Sequence, residues 1–392
     1  MMREYDIAIV GAGPAGATFA RLVDQRYRVL LIDPKTEAPE SFSKVCGGLL
    51  SGDAQKALSR YDLTLPKDLL VDPQIFSVKT LDLKAGLVRH YQRFYINLDR
   101  QKFDLWLASL VPGRVDRLIA QAREIRRQDG GFLLRCRMGA AGGGRADLAP
   151  GQDVGGDVVR ARLADRGDVE IRARYVVGAD GANSLVRRVF FPDRKIRQYV
   201  AIQQWFPETH PNPFYSCVFD PDTSDCCSWS ISKDNYFIYG GAFAPKNCRA
   251  MFERQKKTCA RFGFRFPEPV KTEACLVSRP RSFFDFCQGG QGIFLIGEAA
   301  GFISPSSLEG FSWAFNSAEL LAGAFGAGEK GLERRYRRAT LGLRLRLLGK
   351  ILKCPFMYVP WLRRLVMRCG LNSITVHQAE DGLAGTEKGI GL

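Results

Sequence analysis

The strongest constraint on this chain is Gly11-Ala12-Gly13-Pro14-Ala15-Gly16, which stands directly after the apolar run Tyr5-Asp6-Ile7-Ala8-Ile9-Val10. A short apolar run ending at glycine predicts a strand, residues 17 to 23 predict a helix, and Val29-Leu30-Leu31-Ile32 predicts a second strand. The result is a βαβ opening with three glycines in its first connection. In such a turn Gly11 permits the bend, Gly13 lets the backbone approach a pyrophosphate, and Gly16 lets the helix pack closely. Pro14 and Ala15 belong to the same phosphate turn, where free N–H groups and the helix dipole favour an anion. Asp33 ends the second strand twenty residues after Gly13, at a place suited to hydrogen-bonding adenosine ribose hydroxyls. The turn alone does not separate NAD from FAD.

A chain of 392 residues is long enough for two domains and a tail. Val, Ile, Phe, Tyr and Trp are concentrated from Gln74 to Ile96 and from Tyr199 to Phe243, predicting strands of a second, mostly antiparallel unit. A helical segment is expected from Phe103 to Leu110, and a late strand, Gly292 to Ile296, precedes a helix from Glu309 to Ala324. The glycine-rich stretch from Gly139 to Gly156 has too little apolar surface to offset its ordering entropy and reads as a flexible surface loop. The expected fold is α/β: a discontinuous Rossmann-like nucleotide domain (1–72, 97–196, 280–340), a β-sheet substrate domain (73–96, 197–279) and a basic helical C-terminal region (341–392).

The first apolar run is too short for a signal sequence, and no stretch approaches the roughly 18 apolar residues of a membrane span, so a cytoplasmic protein is expected. Eleven cysteines without a Cys-x-x-Cys pair, and three scattered histidines (His90, His210, His377), suggest reduced thiols and neither a zinc site nor a disulfide framework. The formal net charge is +16 and is uneven: between Arg334 and Arg368 stand eleven basic residues and no acidic one. That block is interleaved with apolar residues, as in Leu341-Gly342-Leu343-Arg344-Leu345-Arg346. Such a mixture suits peripheral contact with an anionic membrane surface. A packed helix with arginines facing water is the plainer alternative, and no nucleic-acid module accompanies the charge.

Two further segments narrow the cofactor. Val177-Gly178-Ala179-Asp180-Gly181-Ala182-Asn183-Ser184 resembles the Asp-Gly fingerprint of flavoprotein hydroxylases and their relatives. Gly297-Glu298-Ala299-Ala300-Gly301 resembles that group's Gly-Asp-Ala-Ala-Gly, which implies contact of Glu298 with a ribityl chain. Here glutamate replaces the usual aspartate. Beyond it, Gly310 opens a helix whose N-terminus would stabilise negative charge on a reduced flavin ring.

Across most of its length the chain is similar to the geranylgeranyl reductase family, and within it to the bacterial CbrA-type flavoproteins. Ser43-Lys44-Val45-Cys46-Gly47-Gly48 resembles the family's Lys-x-Cys-Gly-Gly turn. The likeness places Lys44, Cys46, Gly47 and Gly48 near the flavin and makes Cys46 a candidate for proton donation or substrate positioning. A small buried core thiol is the equally ordinary reading. Arg100-Gln101-Lys102-Phe103-Asp104-Leu105-Trp106-Leu107 resembles the family's Arg-x-x-Phe-Asp-x-x-Leu helix and implies that Arg100 approaches the cofactor. Cys227-Ser228-Trp229-Ser230-Ile231-Ser232-Lys233 keeps only the tryptophan and lysine of a Tyr-x-Trp-x-Phe-Pro-Lys pattern, implying Trp229 and Lys233 as substrate residues. A core tryptophan and a hairpin-turn lysine compete with that reading.

The resemblance implies an FAD-dependent oxidoreductase acting on the double bonds of a prenyl-type lipid, with NADPH or a reduced protein carrier as electron donor. An FAD monooxygenase is the alternative within the same fold, and a membrane-surface lipid-binding protein with structural FAD is the alternative outside enzymology.

Overall fold

The computed structural model describes residues 3–35, 45–138, 168–207 and 215–375. The glycine-rich stretch 139–156, Lys44, His210 and His377 lie outside the described residues. The chain runs through β1 (Arg3–Val10), α1 (Pro14–Leu22), β2 (Val29–Asp33), β3 (Leu49–Leu50), α2 (Gly52–Arg60), β4 (Ile75–Asp82), β5 (Leu87–Asn97), α3 (Arg100–Ser109), β6 (Asp116–Gln128), β7 (Gly131–Met138), β8 (Asp168–Gly178) and α4 (Leu185–Phe190). It continues through β9 (Gln198–Phe206), β10 (Tyr215–Phe219), β11 (Ser228–Lys233), β12 (Tyr236–Phe243), α5 (Cys248–Ala260), β13 (Lys271–Ser278), β14 (Gly289–Gly290), β15 (Ile293–Leu295), α6 (Phe311–Gly326), α7 (Leu332–Ala339), α8 (Leu341–Tyr358) and α9 (Pro360–Cys369).

The first sheet has a parallel core in the order β6-β2-β1-β8-β15, and β7 pairs antiparallel with both β6 and β8. Its inner strands are apolar on both faces because both are covered, as parallel sheets require. Period-2 alternation sorts the side chains. Ile7, Ile9, Val29 and Leu31 pack with Phe19 of α1 and Phe325 of α6, whereas Ala8, Val10, Leu30 and Ile32 pack with Leu134 of β7 and with Leu343 and Leu347 of α8.

The second sheet is ordered β13-β9-β12-β11-β10-β4-β5-β3, antiparallel except where β10 meets β4. Phe252 and Cys259 of α5 cover one face together with Phe206, Phe237 and Tyr239. The other face carries Ala201, Cys227 and Val277 toward the first sheet, with Trp229 packed beside them.

The C-terminal helices strap the two sheets together. Tyr336 Oη of α7 donates to Leu295 O of β15 at 2.8 Å, and α8 enters the first core. At the far end Arg363 of α9 pairs with Asp82 of β4 (Nε to Oδ2 2.8 Å), their side chains 5% and 2% exposed. Asp82 also accepts from Ala85 N, and the Arg363 guanidinium lies over Phe219. Removing one partner of such a pair strands the other charge in the interior. Arg363→Ala is therefore expected to cost about 3–5 kcal/mol in urea unfolding, whereas the joint replacement Asp82→Leu/Arg363→Met, which removes both charges, should cost far less.

Candidate functional site

The carboxyl ends of β1, β2, β8 and β15 converge where open α/β sheets bind ligands. A cavity of about 890 Å³ lies there, walled on its far side by the second sheet.

The glycine turn forms one end. Gly11 has φ +103° and approaches β8 so closely that a Cβ would lie 2.6 Å from Ala179 O. Gly16 is tighter still, because its Cβ would collide with the Gly11 carbonyl oxygen. Gly13, Pro14 and Ala15 face the cavity, and nothing lies within 4 Å of a Cβ built on Gly13. The N-cap of α1 is Gly13, which has no side chain to take up the N–H groups of the first turn, as an anion site requires. Asp33 lines the cavity with its carboxylate braced, Oδ2 accepting from Ala12 N at 2.6 Å and Oδ1 from Lys35 N at 2.8 Å. Each oxygen keeps a further lone pair for a hydroxyl.

Asp180 and Gly181 reach the cavity from the end of β8. Asp180 Oδ2 accepts from Leu185 N at 2.7 Å, at the start of α4, whereas the buried Oδ1 has no hydrogen-bond partner among the described residues. Burial raises its pKa. A buried acceptor without a donor fits a ligand hydroxyl or N–H. Glu298 also lines the cavity while accepting from Ser278 N at 2.8 Å, so its extra methylene lets it reach the second sheet.

Where the two sheets meet stand Cys46 and Arg100. The Gly48 N–H points to Cys46 Sγ at 3.4 Å, and Arg100 interacts with the same sulfur. Arg100 is held by Asp104 through Nε at 3.0 Å and Nη2 at 3.2 Å, and it stacks on Phe311 at 4.6 Å. Burial works against the Arg100 charge, but Asp104 and Cys46 outweigh it and raise its pKa. Burial likewise tends to raise the Asp104 carboxyl, yet Arg100 and Lys35 leave it lowered. Gly47, Gly310 and Trp229 complete the predicted residues on the wall, and Trp229 Nε1 donates to Gln203 at 3.1 Å.

Other predicted residues stand behind the wall. Gly16 and Gly297 serve packing, Gly297 against Ala15, and Gly301 at φ +83° closes a short helical turn. Lys233 does not face the cavity. It is 5% exposed and its ammonium donates to Asn97 Oδ1 and Leu98 O, each at 2.7 Å. A Cβ on Gly48 would lie 2.8 Å from that nitrogen, so Lys233 and Gly48 together support the Cys46 turn from beneath.

Sequence reasoning missed Tyr95, Tyr215, Ile231 and Glu309 on the wall. The tyrosines form an edge-to-face pair at 5.6 Å, and burial raises both phenols. Period 2 held part of this signal, because Cys227, Trp229 and Ile231 alternate along one segment and all face the cavity. Pairing of β5 with β4 and of β4 with β10 joins the tyrosines, and that pairing spans too much sequence to be read locally. Glu309 accepts from Ser312 N and Oγ at the start of α6, and its burial raises its pKa.

No family model matches the chain. It is 47% identical over 375 residues to Protein CbrA of Escherichia coli O6:H1 (strain CFT073), covering 95% of each chain. Its fold is similar to that of a geranylgeranyl bacteriochlorophyll reductase-like protein from Thermoplasma acidophilum, with a TM-score of 0.68 at 18% identity over 94% of this chain and 100% of that one. It is also similar to aklavinone-11 hydroxylase, solved with FAD and aklavinone, with a TM-score of 0.62 at 15% identity over 91% of this chain and 70% of that one. These solved structures share the fold of flavin-dependent enzymes.

The glycine geometry separates two substitutions. Gly11→Ala should lower the melting temperature and abolish dinucleotide retention, because its Cβ meets backbone at a strained φ. Gly13→Ala should leave the melting temperature near wild type while releasing the dinucleotide, as read by absorbance of the purified protein.

Lys233 carries a pH signature. Burial of the ammonium lowers it from 10.5 to about 8. Between those values the unfolded chain holds the extra proton, so stability rises with pH across the window, and below it the buried charge costs stability. Wild type should therefore gain on Lys233→Met by roughly 3 kcal/mol between pH 8 and pH 10.5, from a shift worth 1.36 kcal/mol per unit. A pH-independent difference in unfolding free energy would contradict this.

Proposed function

The chain belongs to the CbrA family, and from that premise we propose that it is an FAD-dependent oxidoreductase that reduces carbon-carbon double bonds of a prenyl-type lipid. The observation that carries this reading is the continuity of one cavity from the glycine turn and Asp33, through Cys46 and Arg100, to the largely apolar wall of Tyr95, Tyr215, Trp229 and Ile231.

The residues fit the dinucleotide. Gly13 and the bare first turn of α1 would take the pyrophosphate, Asp33 the ribose, and Asp180 Oδ1 and Glu298 the polar groups farther along. When bound, FAD supplies hydride transfer. The second sheet would hold an alkene against the ring and keep water away from it. Cys46 stands at the junction, where it would position the substrate or give a proton, and Arg100 fixes the electrostatics beside it. NADPH docking transiently, or a reduced protein carrier, would provide electrons.

A hydroxylase reading is favoured by one observation, the shared fold with aklavinone-11 hydroxylase. Anaerobic reduction of the flavoprotein, followed by mass spectrometry of added polyprenyl lipids, separates the two. Gain of two hydrogens per double bond with reoxidation of the flavin supports the reductase, and Cys46→Ala should slow that step about 10²-fold or more, with flavin content unchanged, if Cys46 is the acid. An oxygen-dependent gain of one oxygen atom overturns it for the hydroxylase. Lipid binding without turnover under either condition assigns the flavin a structural role.

A further inference from the structure

α8 is apolar on two opposite sides. Leu343 and Leu347 of its inner side are buried in the first core. On the outer side Leu341, Leu345, Leu352 and Phe356 recur at helical spacing and are 45%, 52%, 66% and 52% exposed. Trp361 and Leu365 of α9 add two more exposed apolar residues at i, i+4, at 67% and 55%. A surface helix ordinarily turns charged residues to water and keeps its apolar stripe for the core. Here the second stripe lies outside.

The charges that α8 and α9 themselves carry have one sign. Arg346 and Lys353 flank it on α8, Arg364 and Arg368 on α9, all exposed, and no acidic residue occurs from 334 to 368. A second copy of the same face would bring like charges together, so self-association is opposed by the field that attracts an anionic surface. An exposed tryptophan among leucines and arginines suits the headgroup level of a bilayer. None of the described helices is long and apolar enough to cross a membrane, so contact would be lateral.

We propose that the outer faces of α8 and α9 form a docking surface for anionic phospholipid bilayers, lying in the plane of the headgroups. The C-terminal end of α8 packs near the cavity wall. Tyr358 Oη, at the end of α8, donates to Ser306 O at 2.7 Å, and Met357 and Tyr358 pack against the same buried cluster as Trp229 and Leu308, both of which line the cavity. Docking would bring that wall to the membrane, whatever reaction the cavity performs.

Sedimentation of the FAD-loaded protein with vesicles of phosphatidylcholine, with and without phosphatidylglycerol, tests the proposal. Partitioning should be at least about tenfold stronger on the anionic vesicles and should weaken with added salt. Leu352→Ser/Phe356→Ser and, separately, Arg364→Gln/Arg368→Gln should each lose about tenfold. Both alter exposed side chains, so circular dichroism, melting temperature and flavin absorbance should stay those of wild type. Equal partitioning on the two vesicle types, or unchanged binding by both variants, overturns the proposal. So does a dimer, detected by light scattering, that Leu352→Ser/Phe356→Ser dissolves, since a second copy would then own the face. Docking is read without turnover, so failure of the reductase assay would sink the proposed reaction and leave this surface standing.

Discussion

Everything at the glycine-turn end of the cavity depends on how closely α1 approaches the end of β1. Gly16 gives the Gly11 carbonyl room that any side chain would take, and Gly11 in turn lies against Ala179 at the end of β8. The contact fixes where the bare N–H groups of α1 point, and it draws the ends of β1, β2 and β8 around one opening. Asp33 tightens the arrangement by accepting the Ala12 N–H, so the acid that ends β2 also orders the turn after β1. Glycine turn and acidic strand end are thus one hydrogen-bonded unit.

The junction of the two sheets is organised by buried charge. Asp104 receives both Arg100 and Lys35, and Arg100 lies between that carboxylate, the Phe311 ring and the Cys46 sulfur. On the other side of the Cys46 turn, Lys233 spends its ammonium protons on Asn97 and Leu98, while Asn97 donates to Ser232 O and Pro73 O. The turn therefore rests on the first sheet's α3 and on the second sheet's β11. Misplacing either support would move the thiol relative to both the glycine turn and the apolar wall. The C-terminal helices add a third tie, because α7 and α8 join the first core while Arg363 anchors α9 to β4.

The sequence by itself determined the glycine turn after β1, the acid after β2, the Asp180-Gly181 segment after β8 and the α/β class, because those signals are local. A glycine that must adopt positive φ, or an apolar run with strict period, declares itself within a few residues. It also declared the uncompensated basic block, since charge is additive along the chain. Tertiary structure decided what distance in sequence hides. It turned Lys233 inward, because an ammonium beneath Gly48 is satisfied by carbonyl and amide oxygens more than a hundred residues away. It brought Tyr95 to Tyr215 through strand pairing, and it chose which leucines of α8 face the core and which face outward, a choice that spacing alone leaves symmetric because both stripes share the helical period.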